Sequence, residues 1–299
     1  MSKIFGGGKI RRYFEGWYCK QQNSQETVAL IPAFHLGAAG VGAASLQVIT
    51  DEAAWNIPFP DWAFRYDDKA RLMSLGGCTF SPAGCRLDAD SREVSLRGEL
   101  RFGPLTPPAY DIMGPFCAVP FMECRHSVFS LLHRVDGTLT VNGRPYVFAN
   151  GRGYMEGDRG VSFPRRYLWT QCTWEEGSVM VSVAEIPLGR LRFTGCIGFV
   201  FWEGKEHRIA TYCGVRLLRL ADDTIVLRQG RMTLSVKLLK ANSQPLRAPD
   251  RGSMTRTIHE SVSCVVQYTC QVGDRLLFDL ISPQASFESH WRVDDEPTR

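Results

Sequence analysis

The sequence lacks the short motifs that mark several large classes of enzyme and metalloprotein. It has no Gly-x-Ser-x-Gly nucleophile turn and no phosphate-binding loop, because Gly6-Gly7-Gly8-Lys9 lacks the flanking strand and helix that such a loop needs. Its ten cysteines include no Cys-x-x-Cys pair. Cys124, His126 and His133 give one possible pair of metal ligands, but no second pair has the spacing of a zinc site. We therefore expect reduced thiols and no bound metal.

The sequence also lacks a strong excess of one charge and a convincing membrane segment. Lys and Arg number 35 against 31 Asp and Glu, and the net charge of +4 is dispersed, which argues against a nucleic-acid partner. Met1–Arg12 has no apolar segment of the secretory type. The uncharged stretch Thr27–Thr50 is interrupted by Pro32, His35 and glycines, which favours a hairpin over a membrane helix. These patterns predict a cytoplasmic protein without a transmembrane segment.

Alternation of apolar and polar residues with a period of two dominates the chain. Ser178–Ile186 and Met232–Leu238 are clear examples, and turn signals such as Asn142-Gly143 recur between the runs. No long amphipathic helix competes with this pattern. The sequence therefore predicts an all-β fold of antiparallel barrels or sandwiches.

The number of short strands is too large for one small barrel, so we expect two domains. The pattern restarts in the Gly-rich stretch after Asn150. This places an N-terminal β domain at residues 1–150 and a C-terminal β domain at residues 151–299. A proline-rich segment, Phe102–Phe121, is predicted to be a long irregular loop.

Three segments combine aromatic and ionisable residues at high density: Tyr13–Gln21, Phe121–His126 and Tyr154–Gln171. Their carboxylates, which adjoin aromatic rings, are Glu15, Glu123, Glu156 and Asp158. Apolar surroundings raise a carboxyl pKa toward the range of a general acid. A structural role is the competing interpretation, since tryptophans on strands commonly fill cores and acids in Gly-rich turns commonly cap backbone amides.

Strand geometry adds two expectations about shared faces. In an extended segment Glu15, Trp17 and Cys19 point to one side and Tyr18 and Lys20 to the other. Trp169 and Gln171 likewise share a side. Arg165 stands at a strand entrance, where its guanidinium can pair with a carboxylate.

The same segments resemble the tocopherol cyclase family. The motifs are Phe14-Glu15-Gly16-Trp17-Tyr18, Ile112-Met113-Gly114-Pro115-Phe116 followed by Pro120-Phe121-Met122-Glu123-Cys124, Tyr154-x-Glu156 through Gly160-x-Ser162-Phe163-Pro164 to Trp169-x-Gln171-Cys172, and Ile258-His259-Glu260-Ser261. Their order and spacing match the family, so the resemblance extends over nearly the whole chain.

The resemblance implies two lipocalin-like (calycin-like) antiparallel β-barrels or sandwiches packed together, related to the carotenoid hydratase group. It also implies closure of a chromanol-type ring on a prenylated hydroquinone or similar terpenoid phenol, with no cofactor. Such a reaction protonates an alkene, holds a tertiary cation against aromatic rings, excludes water and lets a phenol oxygen attack the cation.

We expect Glu156 or Asp158 to be the proton donor, with Glu156 favoured by the family motif, and Glu123 to assist. The expected substrate-binding residues are Glu15, Trp17, His126, Tyr154, Arg165, Trp169 and Gln171. Two alternatives remain open: a lipocalin-like binder of an apolar small molecule such as a prenyl lipid, and a related hydratase or lyase in which water captures the cation.

Overall fold

The computed structural model describes residues 12–119, 122–188 and 191–291 of the chain. Strands make up 71% of it and helix 4%, which confirms the predicted all-β, lipocalin-like fold. Within the described residues, no helix is both long and apolar enough to cross a membrane. Pro120 and Phe121, which belong to a predicted motif, lie outside the described residues.

The first sheet contains eleven antiparallel strands that form a nearly closed barrel. In chain order they are β1 (Tyr13–Gln22), β2 (Thr27–Leu36), β3 (Gly42–Thr50), β4 (Ala54–Pro60), β5 (Phe64–Asp67), β6 (Leu72–Leu75), β7 (Cys78–Ser81), β8 (Gly84–Asp90), β9 (Ser95–Phe102), β10 (Cys124–Val141) and β11 (Arg144–Gly160). The spatial order is β4-β3-β2-β1-β11-β10-β9-β8-β7-β6-β5. Pairing of β1 with β11 brings the first and last strands of the barrel side by side. The other edge of β11 pairs with β10.

The rest of the chain forms a nine-stranded half-barrel and a separate two-stranded ribbon. The strands are β12 (Tyr167–Trp174), β13 (Gly177–Leu188), β14 (Leu191–Trp202), β15 (Lys205–Ala210), β16 (Arg216–Ala221), β17 (Thr224–Gln229), β18 (Met232–Lys240), β19 (Gln244–Asp250), β20 (Ser253–Glu260), β21 (Cys264–Val272) and β22 (Arg275–Ser289). The half-barrel has the order β15-β14-β13-β12-β22-β21-β18-β17-β16, and β19 pairs with β20. Short 3₁₀ helices occur at Asp61–Ala63, Gly114–Ala118 and Thr211–Cys213.

The chain divides into two compact units. The first takes in the chain up to Phe163 with Thr173–Glu175 and Gln244–Ile258, and the second holds Pro164–Cys172, Glu176–Ser243 and the chain from His259. The predicted boundary at Asn150 falls inside β11, which continues to Gly160. Asn150 has a left-handed φ of 54°, so it marks a local irregularity in a continuous strand.

The two faces of the barrel wall differ in chemistry. Trp17, Cys19 and Met155 belong to the hydrophobic core inside the barrel. Because side chains alternate along a strand, Tyr154, Glu156 and Asp158 of β11 point to the outer face. The acidic residues of the central motif are thus presented by the outside of the barrel wall.

Glycines on the inner face of β11 receive rings from the neighbouring strand β10. A Cβ atom on Gly153 would lie 2.2 Å from Nε2 of His133, and one on Gly157 would lie 2.8 Å from the ring of Phe129. Neither separation is tolerable between nonbonded heavy atoms, so the rings occupy the space that these side chains would need. We call these two contacts the glycine notches of β11.

Candidate functional site

The candidate site is an imidazole held between two carboxylates on the outer face of the first barrel. His126 on β10 lies opposite Asp158 on β11, and the next outward residue of β11 toward its start is Glu156. His126 Nδ1 is 3.0 Å from Asp158 Oδ1, and His126 Nε2 is 3.1 Å from Glu156 Oε2. Pairing of β10 with β11 therefore aligns the three side chains, although they are about 30 residues apart in sequence.

Two further side chains hold the carboxylates in place. The Tyr154 hydroxyl donates a 2.6 Å hydrogen bond to Oε2 of Glu156, the same oxygen that His126 contacts. The Cys124 thiol donates to Asp158 Oδ1 over 3.4 Å. Each carboxylate is thus contacted by His126 and by one neutral donor.

The charges in the site favour a protonated histidine. Burial alone would lower the pKa of His126, but Glu156 and Asp158 raise it well above the ordinary value of 6.5. Burial and the nearby Glu156 raise the pKa of the Tyr154 phenol, and burial and Asp158 raise that of the Cys124 thiol. At neutral pH the cluster therefore contains an imidazolium, a phenol and a thiol around the two carboxyl groups.

Accessibility differs between the two ends of the cluster. The side chain of Asp158 is 25% exposed, whereas those of Glu156 and His126 are 6% and 10% exposed. The Asp158 end of the cluster is therefore the more open to solvent.

The three ionisable side chains were also considered as metal ligands. Their donor atoms lie within 4.8 Å of one another. However, the carboxylates contact opposite nitrogens of one ring, so an ion on either nitrogen would gain only one of them. Zinc sites in proteins use at least three protein ligands around one centre. The arrangement fits an ion-paired imidazolium and does not fit a single metal ion.

Other residues on this outer face were not among the predicted site residues. Tyr18 pairs with Glu156, and Lys20 pairs with Tyr154. Lys20 is only 1% exposed, which is unusual for a lysine. The alternation along β1 placed Tyr18 and Lys20 on one face, but the pairing with β11 that brings them to the site is a long-range feature.

Several predicted residues in the first unit lie elsewhere. Trp17 packs inside the barrel, with its ring 6.2 Å from that of Tyr66 and 5.7 Å from that of Phe129. Glu15 shares this inner face and accepts a hydrogen bond from Tyr13. Glu123 precedes β10, and its carbonyl accepts the amide of Val161. None of these three predicted residues belongs to the His126 cluster.

Comparison with known proteins supports the resemblance seen in the sequence. No protein-family model matches the chain. A rice protein (Oryza sativa subsp. japonica) assigned as a chloroplastic tocopherol cyclase is 26% identical over 129 residues. The chain resembles a tocopherol cyclase. The match covers 41% of this chain and 27% of the rice protein, so it spans little more than a quarter of that relative.

Two solved structures share the fold of this chain. Kievitone hydratase from Nectria haematococca superposes with a TM-score of 0.55 at 9% identity, covering 93% of this chain and 89% of the hydratase. A protein of Nitrosomonas europaea assigned as AttH gives a TM-score of 0.52 at 11% identity, covering 94% of this chain and 93% of that one. At such identities the likeness concerns the fold alone.

The remaining predicted residues belong to the second unit. Trp169 and Gln171 share a face of β12, as predicted, and Arg165 precedes that strand. Trp169 pairs with Glu288 of β22, a carboxylate that the sequence analysis missed.

Glu288 is the centre of a second group of polar side chains. Its Oε1 accepts a hydrogen bond from Tyr167 and lies 3.4 Å from Nε2 of His290. The second unit thus repeats the combination of tyrosine, glutamate and histidine found around Glu156. The sequence signal was the run Glu288-Ser289-His290, which lies outside the three aromatic segments.

Proposed function

We propose that this chain is a tocopherol cyclase-like or hydratase-like acid catalyst that protonates a carbon–carbon double bond of a terpenoid or prenylated phenol. The observation that carries the proposal is the protonated His126 held between Glu156 and Asp158. Alkene protonation needs a positioned acid, and the His126 imidazolium holds a proton within hydrogen-bond distance of Asp158 at neutral pH. The sequence similarity to a tocopherol cyclase supports the same class of reaction.

Asp158 is the proposed donor, because it combines contact with His126 and access from outside. Glu156 accepts a hydrogen bond from Tyr154 and lies 3.1 Å from His126 Nε2, and its side chain is only 6% exposed, which gives it a positioning role. Asp158 is the more exposed carboxyl group, at 25% against 6% for Glu156. The geometry therefore favours Asp158, whereas the family motif favoured Glu156.

The proposed reaction begins with transfer of the His126 Nδ1 proton through Asp158, 3.0 Å away, to one alkene carbon, which leaves a tertiary cation on the other carbon and a neutral imidazole. The tyrosine rings of the outer face, Tyr18 and Tyr154, can stabilise nearby positive charge by about 1–2 kcal/mol when water is excluded. A phenol oxygen of the same molecule then attacks the cation and loses its proton to the Asp158 carboxylate, which passes it back to His126 Nδ1. The product is an isomer of the substrate, so no electrons, metal or cofactor are required.

The test is an anaerobic incubation of the purified protein with phytylated and geranylgeranylated hydroquinones, followed by chromatography and mass spectrometry. We expect a product of unchanged mass from the unaltered protein. Asp158→Asn should lower the rate by about 10²–10⁴-fold, the usual contribution of a general acid. The matched control is Glu175→Gln, which removes an exposed carboxylate paired with Arg134 at 2.6 Å and should retain the rate.

Other outcomes distinguish the alternatives. A product heavier by one water molecule would indicate a hydratase, in which water captures the same cation. Saturable quenching of tryptophan fluorescence without any product would indicate a binder of apolar small molecules. Full turnover by Asp158→Asn would contradict the assignment of the acid.

A further inference from the structure

A row of three residues crosses the inner face of the first barrel, on the side opposite the His126 cluster. Gly153 of β11 pairs with Gln21 of β1 on one side and with His133 of β10 on the other. Residues directly opposite each other in an antiparallel sheet point to the same face. Gln21 and His133 are 0% and 3% exposed, so both polar side chains point into the barrel interior.

The hydrogen bonds of His133 define its protonation. Its Nδ1 is 3.0 Å from Oγ of Ser130, whose hydroxyl donates to the carbonyl of Leu132 and accepts the amide of Thr106. With the hydroxyl proton on the Leu132 carbonyl, we assign the ring proton of His133 to Nδ1, which then donates to Ser130. Burial lowers the pKa of His133 to about 4, so the ring is neutral at physiological pH. The other nitrogen, Nε2, is therefore a hydrogen-bond acceptor.

That acceptor has no donor among the described residues. His133 Nε2 lies above Gly153, where an added Cβ would be only 2.2 Å away, and it forms no hydrogen bond. On the other side of Gly153, neither the oxygen nor the nitrogen of the Gln21 carboxamide has a partner in the described part of the chain. Buried polar groups in proteins nearly always have partners, so these atoms indicate a site for a small polar molecule.

The neighbouring side chains restrict the type of molecule. The ring of Phe102 lies 4.8 Å from that of His133, and Cys19 and Met155 belong to the core on the same face. No charged atom is needed to satisfy a neutral imidazole and a neutral amide. A hydroxyl group suits both, since it can donate to His133 Nε2 and accept from the amide of Gln21.

We propose that the first barrel binds a small neutral hydroxyl compound, either water or an alcohol, between His133 Nε2 and the carboxamide of Gln21. This site is independent of the proposed acid catalysis, because it lies on the opposite face of the β1–β11–β10 wall. It can therefore be present whether or not the protein protonates an alkene.

The test is ¹⁵N NMR of the full chain with labelled histidine, with and without ethanol or cyclohexanol. We expect His133 to show one protonated nitrogen and one unprotonated nitrogen whose resonance is shifted by accepting a hydrogen bond. Gln21→Met should shift this resonance toward the position of a free acceptor. His259, an exposed residue of β20, is an internal control whose signals should stay constant.

Each outcome supports or overturns the proposal. A dipolar contact between water protons and the ring of His133, with no response to either alcohol, identifies water as the ligand. A saturable shift on addition of alcohol, reduced in Gln21→Met, identifies an alcohol site. A free Nε2 acceptor in the unaltered protein with no response to alcohol, or a proton on Nε2, would overturn it even if the variant failed to fold.

Discussion

Glu156→Gln gives the sharpest test of the imidazolium between two carboxylates. The substitution keeps the shape of the side chain but removes a charge 3.1 Å from His126 Nε2. At the effective dielectric constant of about 20 that suits pairs in proteins, this attraction amounts to about 5 kcal/mol. Because Glu156 makes the largest contribution to raising the pKa of His126, its neutralisation should lower that pKa.

The assay is an NMR titration of the His126 ring between pH 5 and 10, in the unaltered protein and in the variant. In the unaltered protein His126 should remain protonated well above pH 6.5, its ordinary pKa. Glu175→Gln, which removes an exposed carboxylate outside the cluster, should leave the titration unchanged. If His126 of the unaltered protein titrated at or below 6.5, or did not respond to Glu156→Gln, the electrostatic basis of the proposed acid would be refuted.

Three further predictions concern stability. Gly153→Ala should lower the free energy of unfolding by about 1–3 kcal/mol in urea because its Cβ would overlap His133, and adding His133→Ala should recover part of the loss. Trp17→Phe should lower the free energy of unfolding by about 1–3 kcal/mol, because Trp17 lies in the core of the barrel. It should leave the His126 titration unchanged, since the two residues lie on opposite faces of the wall, and an altered titration would contradict this placement. The raised pKa of His126 stabilises the fold below its unfolded pKa, and this contribution disappears as the pH rises through the folded pKa. Urea unfolding between pH 6 and 10 should therefore show a steeper alkaline decline in the unaltered protein than in His126→Phe, and equal slopes would contradict the assignment.

Local patterns predicted the strands well, because alternation reports directly on a sheet with a buried face. The segment Thr27–Thr50 forms the hairpin of β2 and β3, as its proline and glycines indicated. The same alternation correctly separated Trp17 and Cys19 from Tyr18 and Lys20 along β1.

The site depended on pairings that a single sequence does not reveal. His126 and Asp158 meet because β10 pairs with β11, and Trp17 is separated from them because it points to the other side of the same wall. The density of aromatic and acidic residues drew attention to His126, Asp158 and Trp17 alike. It could not show on which side of the barrel wall each side chain lies. The sequence did not predict Glu288 as a candidate site residue, because Glu288 lies beside Trp169 only through the pairing of β12 with β22.

The glycine notches of β11 have a consequence for how the acid site is assembled. The rings of Phe129 and His133 fit only where β11 has no side chain, and Met155 lies between the two notches. A slip of β10 by two residues would press a ring against Met155. The notches therefore favour one register between the two strands. The same alignment places His126 opposite Asp158 on the reverse side. Side chains that never approach a substrate thus set the precision of the proton-transfer geometry.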